Sequence, residues 1–133
     1  MDDEIQIRVG LDSDIVAARQ RGRELAVELG FSPGNATLIA TAISELARNM
    51  LLYAGSGEIL LGRVERDGLE GLVVVARDQG PGIPDVKQAL QDGYSTMRRL
   101  GLGLPGVRRL MDDFSIESGP GIGTTVVVKK WTR

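Results

Sequence analysis

The chain has 133 residues, of which 42% are hydrophobic and 26% charged, the proportions of a soluble globular domain with a core of its own. Its net charge of −2 lacks the basic surplus of a nucleic-acid binder, and the absence of cysteine and histidine excludes disulfides, thiolate chemistry, histidine triads and the H-R-D loop of protein kinases. No apolar run reaches membrane-spanning length and the start Met1-Asp2-Asp3-Glu4 is no signal peptide, so the expectation is one cytoplasmic domain over residues 1–133.

Ile5, Ile7 and Val9 alternate with Gln6 and Arg8, predicting a half-buried strand up to Gly10. Asp12-Ser13-Asp14 then offers an N-cap and first-turn acids for a helix to about Leu29. Its apolar stripe is Ile15, Ala18, Gly22, Leu25 and Leu29, with Gly30 closing it. Ser32-Pro33-Gly34-Asn35 reads as a turn, and a second helix is expected from Ala36 to Tyr53. Ile39, Ile43, Leu46, Met50 and Tyr53 would form its core face, and Gly55-Ser56-Gly57 ends it.

A hairpin follows, Glu58–Glu65 and Leu69–Ala76 around the turn Arg66-Asp67-Gly68. The run Leu72-Val73-Val74-Val75-Ala76 reads as a strand buried on both faces. Pro84–Asp92 can form a short helix, 93–100 is expected to be a mobile polar loop, and a further helix spans about Leu102–Met111. Strands over Phe114–Ser118 and Thr124–Lys130 flank the turn Gly119–Gly123. This order predicts a two-layer α/β sandwich, with helices on one face of a mixed, mostly antiparallel sheet.

Three stretches are suited to chemistry. Glu45 and Asn49 are four residues apart on the second helix, so their side chains stand about 40° apart around its axis. An amide oxygen suits Mg²⁺, and the carboxylate can accept a proton from an attacking hydroxyl. In Asp78-Gln79-Gly80-Pro81-Gly82-Ile83-Pro84 a carboxylate precedes two glycines that admit close approach to the backbone. Asp78 could bind a planar amine such as that of adenine, or simply sit solvated in a tight turn. Gly101-Leu102-Gly103-Leu104-Pro105-Gly106 opens a helix whose free N–H groups suit a phosphate, with Arg98 and Arg99 just upstream. No strand precedes it directly, as a Rossmann fingerprint requires, and no P-loop motif is present.

In this order, Glu45…Asn49, Asp78-x-Gly80-x-Gly82, Gly101-x-Gly103 and Gly123-Thr124 resemble the N, G1, G2 and G3 boxes of the GHKL superfamily of ATPases and kinases. The runs Ala42–Asn49, Asp78–Asp85 and Gly103–Val107 are most similar to the small serine kinases that control bacterial sigma factors, including stressosome switch kinases. The resemblance covers nearly the whole chain and implies the Bergerat fold and an Mg·ATP-dependent serine/threonine kinase. It implies Asn49 as the Mg²⁺ ligand, Glu45 as general base, Asp78 on the adenine amino group with Thr124 in support, and Gly80, Gly82 and Ile83 beside the nucleotide. Gly101, Leu102, Gly103 and Leu104 would cradle the phosphates under a lid at 93–100, with Arg99 contacting phosphate. Many members carry a basic residue four positions after the Asn, where this chain has Tyr53. The implied partners are STAS-domain substrates and, on release, a PP2C-type phosphatase that the kinase activates, with no nucleic acid or membrane. An anti-sigma factor of the same fold, or a non-catalytic adaptor, are the alternative functions.

Overall fold

The computed structural model describes residues 2–82, 90 and 103–132. Along them run β1 (Asp2–Val9), α1 (Asp12–Glu28), α2 (Pro33–Tyr53), β2 (Gly57–Arg66), β3 (Leu69–Asp78), α3 (Gly103–Leu110), β4 (Asp113–Gly119) and β5 (Gly123–Trp131). The strands form one sheet in the order β1-β2-β3-β5-β4. Every described pairing is antiparallel, not mixed as expected. The reason lies in the connections. The α1–α2 pair crosses the sheet twice and returns the chain so that β2 runs against β1, while β2–β3 and β4–β5 are hairpins. The helix expected over Pro84–Asp92 lies outside the described residues apart from Leu90, and the loop expected at 93–100 lies wholly outside them.

Local chemistry sets the element ends. Asp67 and Gly68 have φ of 54° and 80°, the type I′ geometry whose twist matches a two-residue hairpin loop. The N-cap of α1 is Leu11 rather than one of the acids. Asp14 instead reaches back from the first turn, its Oδ2 accepting from the N–H groups of Gly10 and Leu11, both at 2.9 Å. At the other end Gly30 takes φ 95°. Its N–H donates to Val27 O at 3.1 Å and that of Phe31 to Ala26 O at 3.0 Å, a Schellman closure. α2 begins at Pro33, ahead of the expected Ala36, because Ser32 caps it: Ser32 Oγ accepts from Asn35 N at 3.1 Å and Pro33 occupies the first turn.

The three described helices share one face of the sheet. Val9, Ile59, Leu61, Leu72, Val74, Ala76, Val126 and Val128 meet Ala18, Leu25, Ile39, Ile43, Leu46, Met50, Leu104 and Val107 in a single core. Tyr53 is not in it. It is 48% exposed, because the last turn of α2 runs past its apolar neighbours. The run 72–76 is only partly two-sided: Leu72, Val74 and Ala76 enter the core, Val73 is buried on the other face, and Val75 is half-buried. Among the described residues no helix is long and apolar enough to cross a membrane.

Candidate active site

Asp78 ends β3 on the helix-facing side, paired in register with Thr124 of β5. Its Oδ1 accepts from Gly80 N at 2.9 Å, an Asx-type turn that starts the loop. The loop is wedged between two other elements. A Cβ on Gly80 would lie 2.6 Å from Ala54 Cβ at the end of α2, and one on Gly82 (φ 84°) would strike the carbonyl of Gly119. A Cβ on Gly123 (φ 78°) would strike the carbonyl of Asp78. Gly121 N also donates to Pro81 O at 3.4 Å. Protein contacts alone therefore require these glycines, whereas the sequence reading tied them to an approaching ligand.

Thr124 lies beside Asp78, yet its hydroxyl is engaged elsewhere. Ser118 Oγ donates to Gly123 O at 3.0 Å and lies 2.7 Å from Thr124 Oγ1. Thr124 was expected to support Asp78, and among the described residues its hydroxyl is shared with Ser118. Ser118 was missed by the sequence reading. Its alternation with Phe114 and Ile116 is the signal that puts it on this face.

The second part of the site is on α2. Glu45 is 7% exposed, the one charged side chain buried among the described residues. Its Oε1 accepts from Arg48 Nη1 at 2.9 Å. Asn49 is half-buried one turn further on. Since Ala54 touches Gly80, the helical rise puts Asn49 about 7.5 Å and Glu45 about 13.5 Å along the axis from the Asp78 loop. Tyr53, where the resemblance implies a basic residue in many family members, is exposed. Arg48 was also missed, although an i, i+3 spacing to Glu45 was visible.

The third part is the start of α3. Gly103 has φ 66° and is buried, as are Leu104 and Val107, and the helix packs against α2. Lys130 Nζ donates to Leu110 O at 2.9 Å, placing a cation at the helix's negative end. Of the remaining expected site residues, Ile83, Arg99, Gly101 and Leu102 lie outside the described residues. The structure thus joins Asp78, Gly80, Gly82 and Thr124 directly, with the end of α2 seated on their loop and α3 packed on α2. The donor set fits a magnesium nucleotide. The amide oxygen of Asn49 is a hard ligand on α2, and Asp78 Oδ2 has no described donor, which leaves it open to an amine.

Residues 34–132 match the family described as histidine kinase-, DNA gyrase B-, and HSP90-like ATPase. The serine/threonine-protein kinase RsbT of Bacillus subtilis (strain 168) is 53% identical over 133 residues, 100% of both chains. An anti-sigma F factor from Bacillus licheniformis is 34% identical over 101 residues, covering 71% of this chain and 68% of that one. Among solved structures, the RsbU and RsbW domains of Rv1364c from Mycobacterium tuberculosis superpose with a TM-score of 0.61 at 20% identity, over 97% of this chain and 33% of that chain. The SiaB-SiaC complex from Pseudomonas aeruginosa gives 0.57 at 16% identity, over 96% of this chain and 89% of the matched chain. These two likenesses bear on the fold alone.

Proposed function

The chain belongs to the histidine kinase-, DNA gyrase B-, and HSP90-like ATPase family, and from that premise we propose that it is an ATP-dependent protein serine/threonine kinase of a partner-switching module, residues 1–133 forming one kinase domain. The observation that carries the chemistry is the buried carboxylate of Glu45, one turn from Asn49 on the helix whose end supports the Asp78 loop.

In this reading Asp78 Oδ2 accepts from the adenine amino group while Oδ1 keeps the loop closed through Gly80 N–H. Gly80, Gly82 and Ile83 form the wall beside the base, and Thr124 orders the adjoining turn through Ser118. Gly101, Leu102, Gly103 and Leu104 present N–H groups to the phosphates at the start of α3, with Arg99 as a further cation. Asn49 would hold Mg²⁺ through its amide oxygen, and a metal held there would supply positive charge against the phosphate oxygens. A partner's serine or threonine oxygen bonds to the γ-phosphorus as the bond from that phosphorus to the β,γ-bridging oxygen breaks. Glu45 takes the hydroxyl proton.

The substrates proposed are STAS-domain proteins, and the released kinase binds and activates a PP2C-type phosphatase in the cytoplasm. A second reading, an anti-sigma factor that sequesters a sigma subunit by contact, is favoured by the likeness to anti-sigma F factors. A non-catalytic adaptor is the third. Incubation with labelled ATP, Mg²⁺ and candidate STAS proteins, followed by phosphosite mapping, separates them. Label on a serine or threonine is expected, with Glu45→Ala keeping ATP binding and slowing transfer by about 10² to 10⁴. Capture of a sigma subunit with no transfer would favour the second reading.

A further inference from the structure

Glu45 and Arg48 form an ion pair of unequal halves. Arg48 Nη1 donates to Glu45 Oε1 at 2.9 Å, with the arginine side chain 43% exposed and the glutamate side chain 9%. The surroundings of Glu45 are apolar: Ala42, Ile43, Leu46 and Ala47 are all buried beside it on α2. At such a position an apolar side chain of similar volume is usually as stable as a charged pair or more so. Helix ion pairs three residues apart contribute only about 0.2–0.5 kcal/mol, well short of the desolvation of a carboxylate. Fold stability therefore does not account for the charge. Among the described residues Arg48 is the only donor to Glu45, and none reaches Oε2.

We propose that Arg48 is a positioning residue for phosphotransfer: it clamps Oε1, fixes the carboxylate plane of Glu45, and leaves Oε2 to meet the acceptor hydroxyl. The proposal rests on the kinase reading above. A glutamate side chain free to rotate would spend much of its time with neither oxygen in reach of that hydroxyl, and errors of about 1 Å in such geometry cost about 10²-fold in rate. Arg48 acts through Glu45 and not on the nucleotide. Its effects must therefore vanish when Glu45 can no longer accept the proton.

The test uses the full chain with a phosphorylatable STAS partner, as Arg48→Ala, Arg48→Lys, Glu45→Gln and the Glu45→Gln/Arg48→Ala double variant. Single-turnover transfer at saturating Mg·ATP, ATP affinity by calorimetry and unfolding of the nucleotide-free protein are measured on each. Arg48→Ala is expected to slow transfer about 10- to 100-fold with ATP affinity unchanged within about threefold. Arg48→Lys, which retains one donor for Oε1, is expected to recover much of the rate. In the Glu45→Gln background Arg48→Ala should slow transfer by less than about twofold and lower the nucleotide-free unfolding midpoint less than it does in the parent. Should Arg48→Ala fail to fold, Arg48→Gln takes its place. An Arg48 variant as fast as the parent while Glu45→Gln is slow would overturn the proposal and leave the kinase reading intact. Equal slowing in both backgrounds, or a loss explained by weaker ATP binding, would overturn it too. An unaffected Glu45→Gln rate would overturn the general-base reading and this proposal together.

Discussion

On the proposed function the two oxygens of Asp78 have separate tasks, and one substitution divides them. Oδ1 holds the loop through Gly80 N–H at 2.9 Å, an acceptor that asparagine retains. Oδ2 becomes an NH₂ group in Asp78→Asn and, on the proposed function, would meet the adenine amino group donor to donor. ATP affinity is expected to fall at least about tenfold, roughly 1.4 kcal/mol, while the urea midpoint moves by no more than a surface substitution does, about 0.5 kcal/mol. Calorimetry and urea titration check the two halves, and equal losses in both would mean that Asp78 serves the loop alone. The end of β3 at Asp78 was legible in the sequence because the apolar run stops there and alternate glycines follow. The pairing of Glu45 with Arg48 was not. Helical spacing put Glu45 at the edge of the apolar stripe, but its burial depends on the neighbours that α2 acquires in the fold. Thr124 was read as supporting Asp78, and the contact of its hydroxyl with that of Ser118 at 2.7 Å is one that the sequence did not announce.

At the level of the element, the order of helices and strands was readable from periodicity, and the errors fell at the ends. Ser32-Pro33-Gly34-Asn35 has turn composition, yet Ser before Pro is also a helix-start pattern, and the long apolar face behind it decides the outcome. Removing the cap in Ser32→Ala is expected to cost about 1 kcal/mol. Gly34 lies in the first turn of α2, and a Cβ there would meet nothing within 4 Å. Gly34→Ala should therefore stabilise by about 0.5–1 kcal/mol. Gly82→Ala differs in sign, since φ of 84° and the carbonyl of Gly119 both oppose a side chain, at a cost of order 1–3 kcal/mol. Urea midpoints at constant m-value rank the three. A stabilised Gly82→Ala would show that the loop is not pinned between α2 and the β4–β5 turn. The sheet's antiparallel pairing was less legible, because it depends on whether the α1–α2 connection crosses the sheet once or twice.

Across the whole molecule, three carboxyls fasten separate parts of the fold, and all are held below the ordinary carboxylate range. The Trp131 indole N–H donates to Asp113 Oδ2 at 2.8 Å and is the main cause there, with Arg66 adding its charge from the β2–β3 hairpin. Arg66 also stacks on Trp131, 4.3 Å from the ring centroid. This group ties β2, β4 and β5 together. Glu58 is lowered chiefly by the Arg77 guanidinium on the neighbouring strand, and Asp14 by the backbone N–H groups of Gly10 and Leu11 at the start of α1. A carboxyl whose folded pKa is depressed stabilises above its unfolded value and loses that contribution as pH falls through the folded one. With unfolded values near 3.9 for Asp and 4.3 for Glu, the loss belongs below about pH 4. The chain has no histidine to add a transition near neutrality. Unfolding midpoints are therefore expected to be level from pH 6 to 8 and to decline only in the acid limb. The gap between pH 7 and pH 3 should narrow in each of Asp14→Asn, Glu58→Gln and Asp113→Asn, because each variant lacks one group that the native state keeps ionised. The three groups sit at a helix start, a strand ladder and a strand-end clasp that share no bond, so their effects on the gap should add. A decline that begins near pH 6, or a gap unchanged in all three variants, would place the acid sensitivity elsewhere.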